Sequence, residues 1–310
     1  VDPIYVLIGF PLSPDWADGN VPPLLNKYYE LTIEALAAGD GAHPAVMGLA
    51  LGNELNNPGR VSSEKYWKRM RKLVAAAKRG FAARSVSRVV TTGLQDDPAL
   101  YFFTSESGLT FVENMHQTFD FWTTNVYDPI QDFIGAIPSP HGTGMPLVLG
   151  EFGSPAASAK SELPLNASAA AARIEGVWNA MMKRLDAFSG GFVFEFSDEW
   201  WKVGHPAAHD FDALPFKAFP GGVWAEEWWG LYSIELNPPD RPAETPWCDE
   251  WRVPYTDKLT PREGAHVFGR LRVPSAGELA KPRNNATFDC VDCQVSADGV
   301  AEDNRISEPK

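Results

Sequence analysis

Val46-Met-Gly-Leu-Ala-Leu-Gly-Asn-Glu54 and Pro146-Leu-Val-Leu-Gly-Glu-Phe-Gly153 are two short apolar runs, each of which stops abruptly at a carboxylate. A continuous hydrophobic run of this length, bounded by Gly and polar residues, reads as a strand covered on both faces. An acid placed where such a strand ends sits at the mouth of a sheet or barrel. Two of them, Glu54 and Glu151, supply the residue types that glycoside hydrolysis requires, one carboxyl as acid/base and the other as nucleophile or base.

Outward from these two runs, strand and helix signals alternate. A strand over 4–10 precedes a helix over 22–38, where Pro22 and Pro23 suit a helix start and Gly39 a stop. The strand over 46–51 leads to a helix over 62–81 with Ser63 as N-cap and Lys and Arg on its exposed face. Then come a strand over 88–92, a helix-like or irregular stretch over 100–114, strands over 119–126 and 147–150, an Ala- and Met-rich helix over 167–188, and a strand over 190–196. Repeated strand–helix units with apolar strands imply a parallel sheet, because parallel strands need crossovers. Gly9-Phe-Pro-Leu-Ser-Pro14 lacks the G-x-G-x-x-G spacing of a nucleotide loop. Acids, Asn, Tyr and Trp follow strand after strand, as expected where loops at the C-terminal face of a (β/α)8 barrel build one site. The barrel is expected over 1–240. Beyond it, 241–310 turns Pro-rich and then polar, which reads as an irregular extension, partly disordered at its end.

Composition narrows the function. The formal net charge of −13 opposes binding to a nucleic acid backbone. No run of 18 or more uncharged apolar residues marks a transmembrane helix. His116, His205 and His209 are not spaced as a metal set, and a lone Cys290-Val-Asp-Cys293 with Cys248 is weak evidence for zinc or redox chemistry. No metal or organic cofactor is expected. The triplets Asn166-Ala-Ser168 and Asn285-Ala-Thr287 permit glycosylation, and the compartment reading leans extracellular. Trp200, Trp201, Trp224, Trp228, Trp229, Trp247 and Trp251 crowd one late stretch, and indole faces suit sugar rings as well as cores.

Leu51-Gly-Asn-Glu54 resembles the fourth-strand signature of the glycoside hydrolases of clan A, and Leu149-Gly-Glu-Phe-Gly153 resembles the seventh-strand segment that carries their nucleophile. Between them, Phe119-Asp-Phe-Trp-Thr-Thr-Asn-Val-Tyr127 is similar to the sixth-strand element whose Tyr hydrogen-bonds that nucleophile. Phe188-Ser-Gly-Gly-Phe-Val-Phe-Glu-Phe-Ser-Asp-Glu199, with Trp229-Gly-Leu231, looks like the β-1,3-glucanosyltransferase family within the clan. Its bacterial and algal relatives often carry the Glu-Trp-Trp-Lys form present at 199–202. The resemblance spans residues 1–236 in the right order. Counting back makes 4–10 the third strand, so the first two are expected to be missing from this chain.

The resemblance implies a retaining glycoside hydrolase or transglycosylase acting on an oligo- or polysaccharide, with β-1,3-glucan favoured. Glu54 would be the acid/base and Glu151 the nucleophile, with Asn53 on a sugar hydroxyl and Tyr127 on Glu151. Trp200, Trp201 and Glu199 would line the substrate subsite. On chemical grounds, a hydrogen bond from Tyr127 favours a charged Glu151, whereas Glu54 needs a raised pKa to act as an acid. Glu195, inside an apolar strand, either supports the site from behind or points outward between helices. Asp198 and Glu199 read as loop solvation or as substrate contacts, and Gln95 and Asp96 either line the cleft or cap a helix. An inert carbohydrate-binding barrel and an inverting mechanism stay open as alternatives.

Overall fold

The computed structural model describes residues 5–10, 12, 37–38, 41–95, 103–127, 133, 144–156, 167–185, 187–199, 202, 225–235 and 258–272. In chain order these form β1 (Val6–Phe10), a small antiparallel pair β2 (Ala37–Ala38) and β3 (Gly41–Ala42), then β4 (Val46–Leu51), α1 (Pro58–Val61) and α2 (Glu64–Ala83). There follow β5 (Val89–Thr91), β6 (Gly93–Gln95), α3 (Phe111–Thr118), β7 (Trp122–Asn125), β8 (Leu147–Phe152), α4 (Ala167–Met182) and β9 (Phe188–Val193). A 3-10 turn at Glu226–Trp228, β10 (Tyr232–Glu235), β11 (Lys258–Pro261) and α5 (Glu263–Phe268) complete the described elements.

The strands β1, β4 and β5 pair in parallel in that order, as do β6, β7, β8 and β9. The two groups join at Thr92, where one strand bends and changes label. On one side the Thr92 hydroxyl donates to the Leu51 carbonyl at 2.7 Å, and on the other Asp120 N–H donates to the Val90 carbonyl at 2.9 Å. Among the described residues, the parallel strands β1, β4, β5 with β6, β7, β8 and β9 therefore lie in chain order with no reversal, β2 and β3 pairing apart from them. A doubly wound nucleotide-type sheet would reverse its order at a switch point. The protein is thus α/β with parallel strands wound in one direction.

Helix α2 covers the middle of this sheet because its apolar residues recur every three to four positions. Trp67, Met70, Val74, Ala77 and Phe81 are all buried. Trp67 meets Phe111 edge to face at 5.7 Å, and Phe111 meets Trp122 in the same way at 5.7 Å, so one aromatic chain ties α2, α3 and β7 together. Ser63 occupies the N-cap position of α2, but its side chain makes no capping bond; the Glu106 carboxylate accepts from Glu64 N–H at 3.4 Å instead. The stretch read as helix-like or irregular over 100–114 resolves into α3, which begins only at Phe111. A reciprocal capping box fixes that start, with the Thr110 hydroxyl accepting from Glu113 N–H and the Glu113 carboxylate accepting from Thr110 N–H. The expected helix over 22–38 lies outside the described residues except at Ala37–Ala38, which are strand.

Past β9 the sheet gains another parallel neighbour. Leu231 N–H donates to the Glu195 carbonyl at 2.8 Å and Tyr232 N–H to the Phe196 carbonyl at 3.0 Å. The approach is close enough that a Cβ on Gly230 would stand 2.3 Å from the Asp198 nitrogen and 2.5 Å from the Tyr232 carbonyl oxygen. Only glycine fits there. The chain then runs through β10, which pairs antiparallel with β11, into α5 against α4. Residues 258–268, inside the region expected to be irregular, are therefore regular. They fold because the backbone of β10 and the apolar side of α4 are there to receive them, which sequence periodicity over so few residues does not reveal.

Asp198 fastens this last unit. Its carboxylate is fully buried and takes both arms of Arg262, each at 2.6 Å, while also accepting from Gly230 N–H at 2.9 Å. The solvated role read for Asp198 is thereby corrected: the arginine that pairs with it lies 64 residues away in sequence. Removing one member of such a pair strands a buried charge, so Arg262→Ala is expected to lower unfolding stability by roughly 3–5 kcal/mol. Replacing both Asp198 and Arg262 by apolar residues of similar volume should cost far less. Urea unfolding of the two variants checks this.

Candidate active site

At the end of β4 the chain turns sharply. Gly52 has φ of +73° and Glu54, a non-glycine residue, has φ of +52°. A side chain in this left-handed region raises the local energy and persists only where surrounding contacts hold it. Here Glu54 N–H donates to the Gly93 carbonyl at 2.9 Å. Beside it, Asn53 packs so closely on Gly93 that a Cβ there would come within 2.4 Å of its Oδ1. The side-chain amide of Asn125, from the end of β7, reaches across to donate to Glu54 Oε1 at 2.9 Å and to Asn53 Oδ1 at 3.2 Å. Gly150 makes room for Asn125, since a Cβ at 150 would lie 2.8 Å from the Asn125 oxygen.

Glu151 stands opposite Asn125 in the β7–β8 register, with Val126 N–H donating to its carbonyl at 2.8 Å. Two residues beyond Asn125, and so directed to the same side of the extended chain, Tyr127 donates its hydroxyl to Glu151 Oε2. Arg173 of α4 in turn donates to the Tyr127 carbonyl. The Tyr127 ring packs edge-on against Trp229 at 4.9 Å and Phe194 at 6.3 Å.

Burial pushes the Glu151 carboxyl above the usual carboxylate range, and the charges of Glu54 and Glu226 push the same way. Tyr127 and Lys202 oppose them. Tyr127 thus acts in the direction expected of it, but desolvation outweighs it. Burial, with the neighbouring Glu151 carboxylate, likewise keeps the Tyr127 hydroxyl protonated and hence a donor. Glu195 is pushed up to about 9, by burial first and then by a hydrogen bond with Glu199 and the charges of Glu199 and Asp198. Its carboxyl therefore favours the neutral form at pH 7. Lys202 sits between Glu199 Oε2 at 2.6 Å and Glu226 Oε2 at 3.0 Å, with its ammonium 4.5 Å from the centre of the Phe194 ring. Burial works against its charge, but the two carboxylates more than compensate, so it stays cationic.

Of the residues singled out from sequence, Asn53 and Glu54 join through Asn125, and Glu151 through Tyr127. Glu199 engages Lys202. Trp200, Trp201, Asp96, His205, His209, the three cysteines and the side chain of Gln95 lie outside the described residues. Asn125 and Glu226 were given no role from the sequence, Lys202 entered only as the end of the 199–202 segment, and Trp229 only within the Trp cluster and Trp229-Gly-Leu231. Asn125 carried a signal, since it sits two positions before Tyr127 on a strand. A separate surface concavity of about 390 Å³, lined by Glu64, Lys65, Lys68, Arg69, Lys72 and Glu106, lies on α2 away from the carboxylate pair. Among the described residues, no helix is long and apolar enough to cross a membrane.

No protein-family model matches the chain, and no curated protein sequence matches it. Among solved structures it is similar to a β-D-glucuronidase of Dictyoglomus thermophilum, with 14% identity, a TM-score of 0.49, and coverage of 82% of this chain and 36% of that one. It is also similar to the Ruminococcus gnavus β-glucuronidase in complex with uronic isofagomine, with 15% identity, a TM-score of 0.47, and coverage of 71% and 34%. A Bacteroides uniformis β-glucuronidase 2 calcium-binding mutant gives 12%, 0.44, 72% and 24%. The chain thus spans about a third or less of the length of these structures.

Glu195 makes a measurable contribution to the pH dependence of stability. Its folded pKa lies above the unfolded value, so the folded state holds the extra proton between the ordinary glutamate range and about 9. Stability is then greatest below that window and falls as pH rises through it. In Glu195→Gln this fall should be absent, and the variant should exceed the wild type in stability increasingly from pH 6 to pH 9 in denaturant titrations.

Proposed function

We propose that this chain carries the catalytic site of a retaining glycoside hydrolase or transglycosylase that acts on a β-linked glucan, β-1,3-glucan being favoured by the sequence resemblance. Six parallel strands in chain order fit an arc of a (β/α)8 barrel, third strand to eighth. The observation that carries the reading is the end of β7, where Asn125 and Tyr127 hydrogen-bond the two carboxylates of β4 and β8 from a single strand. A generic acid at a strand end has no need of such a shared holder.

In this reading Glu151 attacks the anomeric carbon while Glu54 donates a proton to the departing glycosidic oxygen, giving a glycosyl-enzyme ester and a free leaving-group hydroxyl. Glu54 then takes a proton from water, or from the hydroxyl of a second sugar, as that oxygen displaces Glu151. Tyr127, donating to Glu151, fixes one oxygen and leaves the other to react. Asn125 donates to one oxygen of Glu54 and leaves the other to carry the proton. Asn53 is assigned to a sugar hydroxyl, and Trp200, Trp201 and Glu199 to the subsite wall, all three on the sequence pattern. Neither step calls for a metal or organic cofactor. Burial, which pushes the Glu151 carboxyl toward its neutral and less nucleophilic form, is the observation that favours a second reading, an inert carbohydrate-binding barrel.

A 2-fluoro glycosyl donor distinguishes the two: a covalent adduct on the Glu151 peptide is expected by mass spectrometry, and its absence in folded protein defeats the retaining mechanism. An inverting site would show carboxyl separations of roughly 6.5–9.5 Å rather than about 5–5.5 Å in a crystal structure. Chain lengthening of a short β-glucan identifies transfer, and shortening alone identifies hydrolysis. Glu54→Gln should lower kcat by about 10²–10⁴ for unactivated leaving groups, and far less for aryl leaving groups that need no protonation. In Tyr127→Phe the loss of a hydrogen bond that favours charged Glu151 should move the acid limb of kcat/KM to higher pH.

A further inference from the structure

The segment Glu199-Trp-Trp-Lys202 ends in a lysine that takes no part in the chemistry above, yet it is the most tightly held cation near the carboxylate pair. Its ammonium lies 2.6 Å from Glu199 and 3.0 Å from Glu226, and it sits over the ring of Phe194. Phe194 and Trp229 both pack against Tyr127, the donor to Glu151. The ammonium is therefore held at one edge of the ring cluster that packs on Tyr127, and the Lys202 side chain is 29% exposed. We propose that Lys202 is a positioning residue: clamped by Glu199 and Glu226 beside the ring cluster of Phe194, Tyr127 and Trp229, its ammonium supplies a positive charge that favours the ionised, attacking form of Glu151. Glu199 then serves as the counterion of this lysine.

Among the described residues, the charged and titratable groups around Glu151 come from several elements. Glu54 stands on the β4 side, and Tyr127 on the β7 side with Arg173 of α4 behind its carbonyl. Glu199 and Lys202 come from the segment after β9, and Glu226 from the 3-10 turn. Glu195 and Asp198 also bear on this group, Glu195 being pushed up to about 9 and Asp198 being paired with Arg262. Among the described residues, the charge of Lys202 favours ionised Glu151, against the charges of Glu54 and Glu226. An anion this short of water needs such a charge, because burial alone favours the neutral carboxyl. Glu226 has a double role. It retains Lys202 in place, and its own charge opposes that of Glu151.

This role presupposes Glu151 as the nucleophile, so the test reads ionisation and turnover separately. In ¹³C-glutamate-labelled protein, the Glu151 carboxyl resonance, assigned by its loss in Glu151→Gln, is followed against pH. Lys202→Met should move its midpoint to higher pH, Glu226→Gln to lower pH, and Lys202→Arg should restore the wild-type value. On a β-glucan substrate, Lys202→Met should lower kcat/KM at least roughly tenfold on the acid side of the profile and much less above it. An unmoved midpoint in folded Lys202→Met, or movement in the same direction in Lys202→Met and Glu226→Gln, overturns the assignment. Should Lys202→Met fail to fold, the midpoints of Glu226→Gln and Lys202→Arg decide by the same criteria. Opposite midpoint movements in a protein that turns over no β-glycoside would support the charge coupling and defeat the glycosidase reading instead.

Discussion

The alternation of side chains along one short strand organises the site. Because successive residues of an extended chain point to opposite sides, Asn125 at the end of β7 and Tyr127 just past it face the same way, with Val126 buried in the core between them. One strand end therefore sets the positions of Glu54 and Glu151, which come from strands on either side of it. Two glycines make this possible. Gly93 admits Asn53 and Gly150 admits Asn125, so the amides lie where a Cβ would otherwise stand. The left-handed backbone at Glu54 belongs to the same arrangement, since it is the turn that brings the carboxylate back toward β7.

Around that holder, the electrostatics are dominated by desolvation. Glu151 and Glu195 are both pushed toward the neutral form, and acids outnumber bases nearby. Lys202 and Arg262 divide the compensation. Arg262 pairs with Asp198 in a buried two-armed contact, and it also binds the Gly230 carbonyl and so ties α5 to the segment after β9. Lys202 is shared among Glu199 and Glu226 and remains partly open to water. The first pair is suited to anchoring the fold and the second to adjusting the charge of a neighbour.

Much of the fold was legible because its signals are local. The apolar runs at Val46–Leu51 and Leu147–Phe152 appear as β4 and β8, and the 3.6-residue spacing of Trp67, Met70, Val74, Ala77 and Phe81 marks α2. The start of α3 was also written locally, in Thr110 and Glu113, but the helix-like character assigned to the residues before it obscured the box. Residues 258–268 were read as irregular because a four-residue strand and a six-residue helix are too short to show a period, and what orders them is a distant surface.

By itself the sequence determined the class of the fold, α/β with parallel strands, and the two carboxylates that close β4 and β8, because strand hydrophobicity and the residue at a strand end are properties of a few consecutive positions. Only the tertiary structure decided which side chains hold those carboxylates. Asn125 meets Glu54 across 71 positions, Arg262 meets Asp198 across 64, and Glu226 meets Lys202 across a segment that no periodicity links. It also decided that Glu151 is raised despite its tyrosine. Desolvation depends on everything packed around a group, and no stretch of neighbouring residues encodes that.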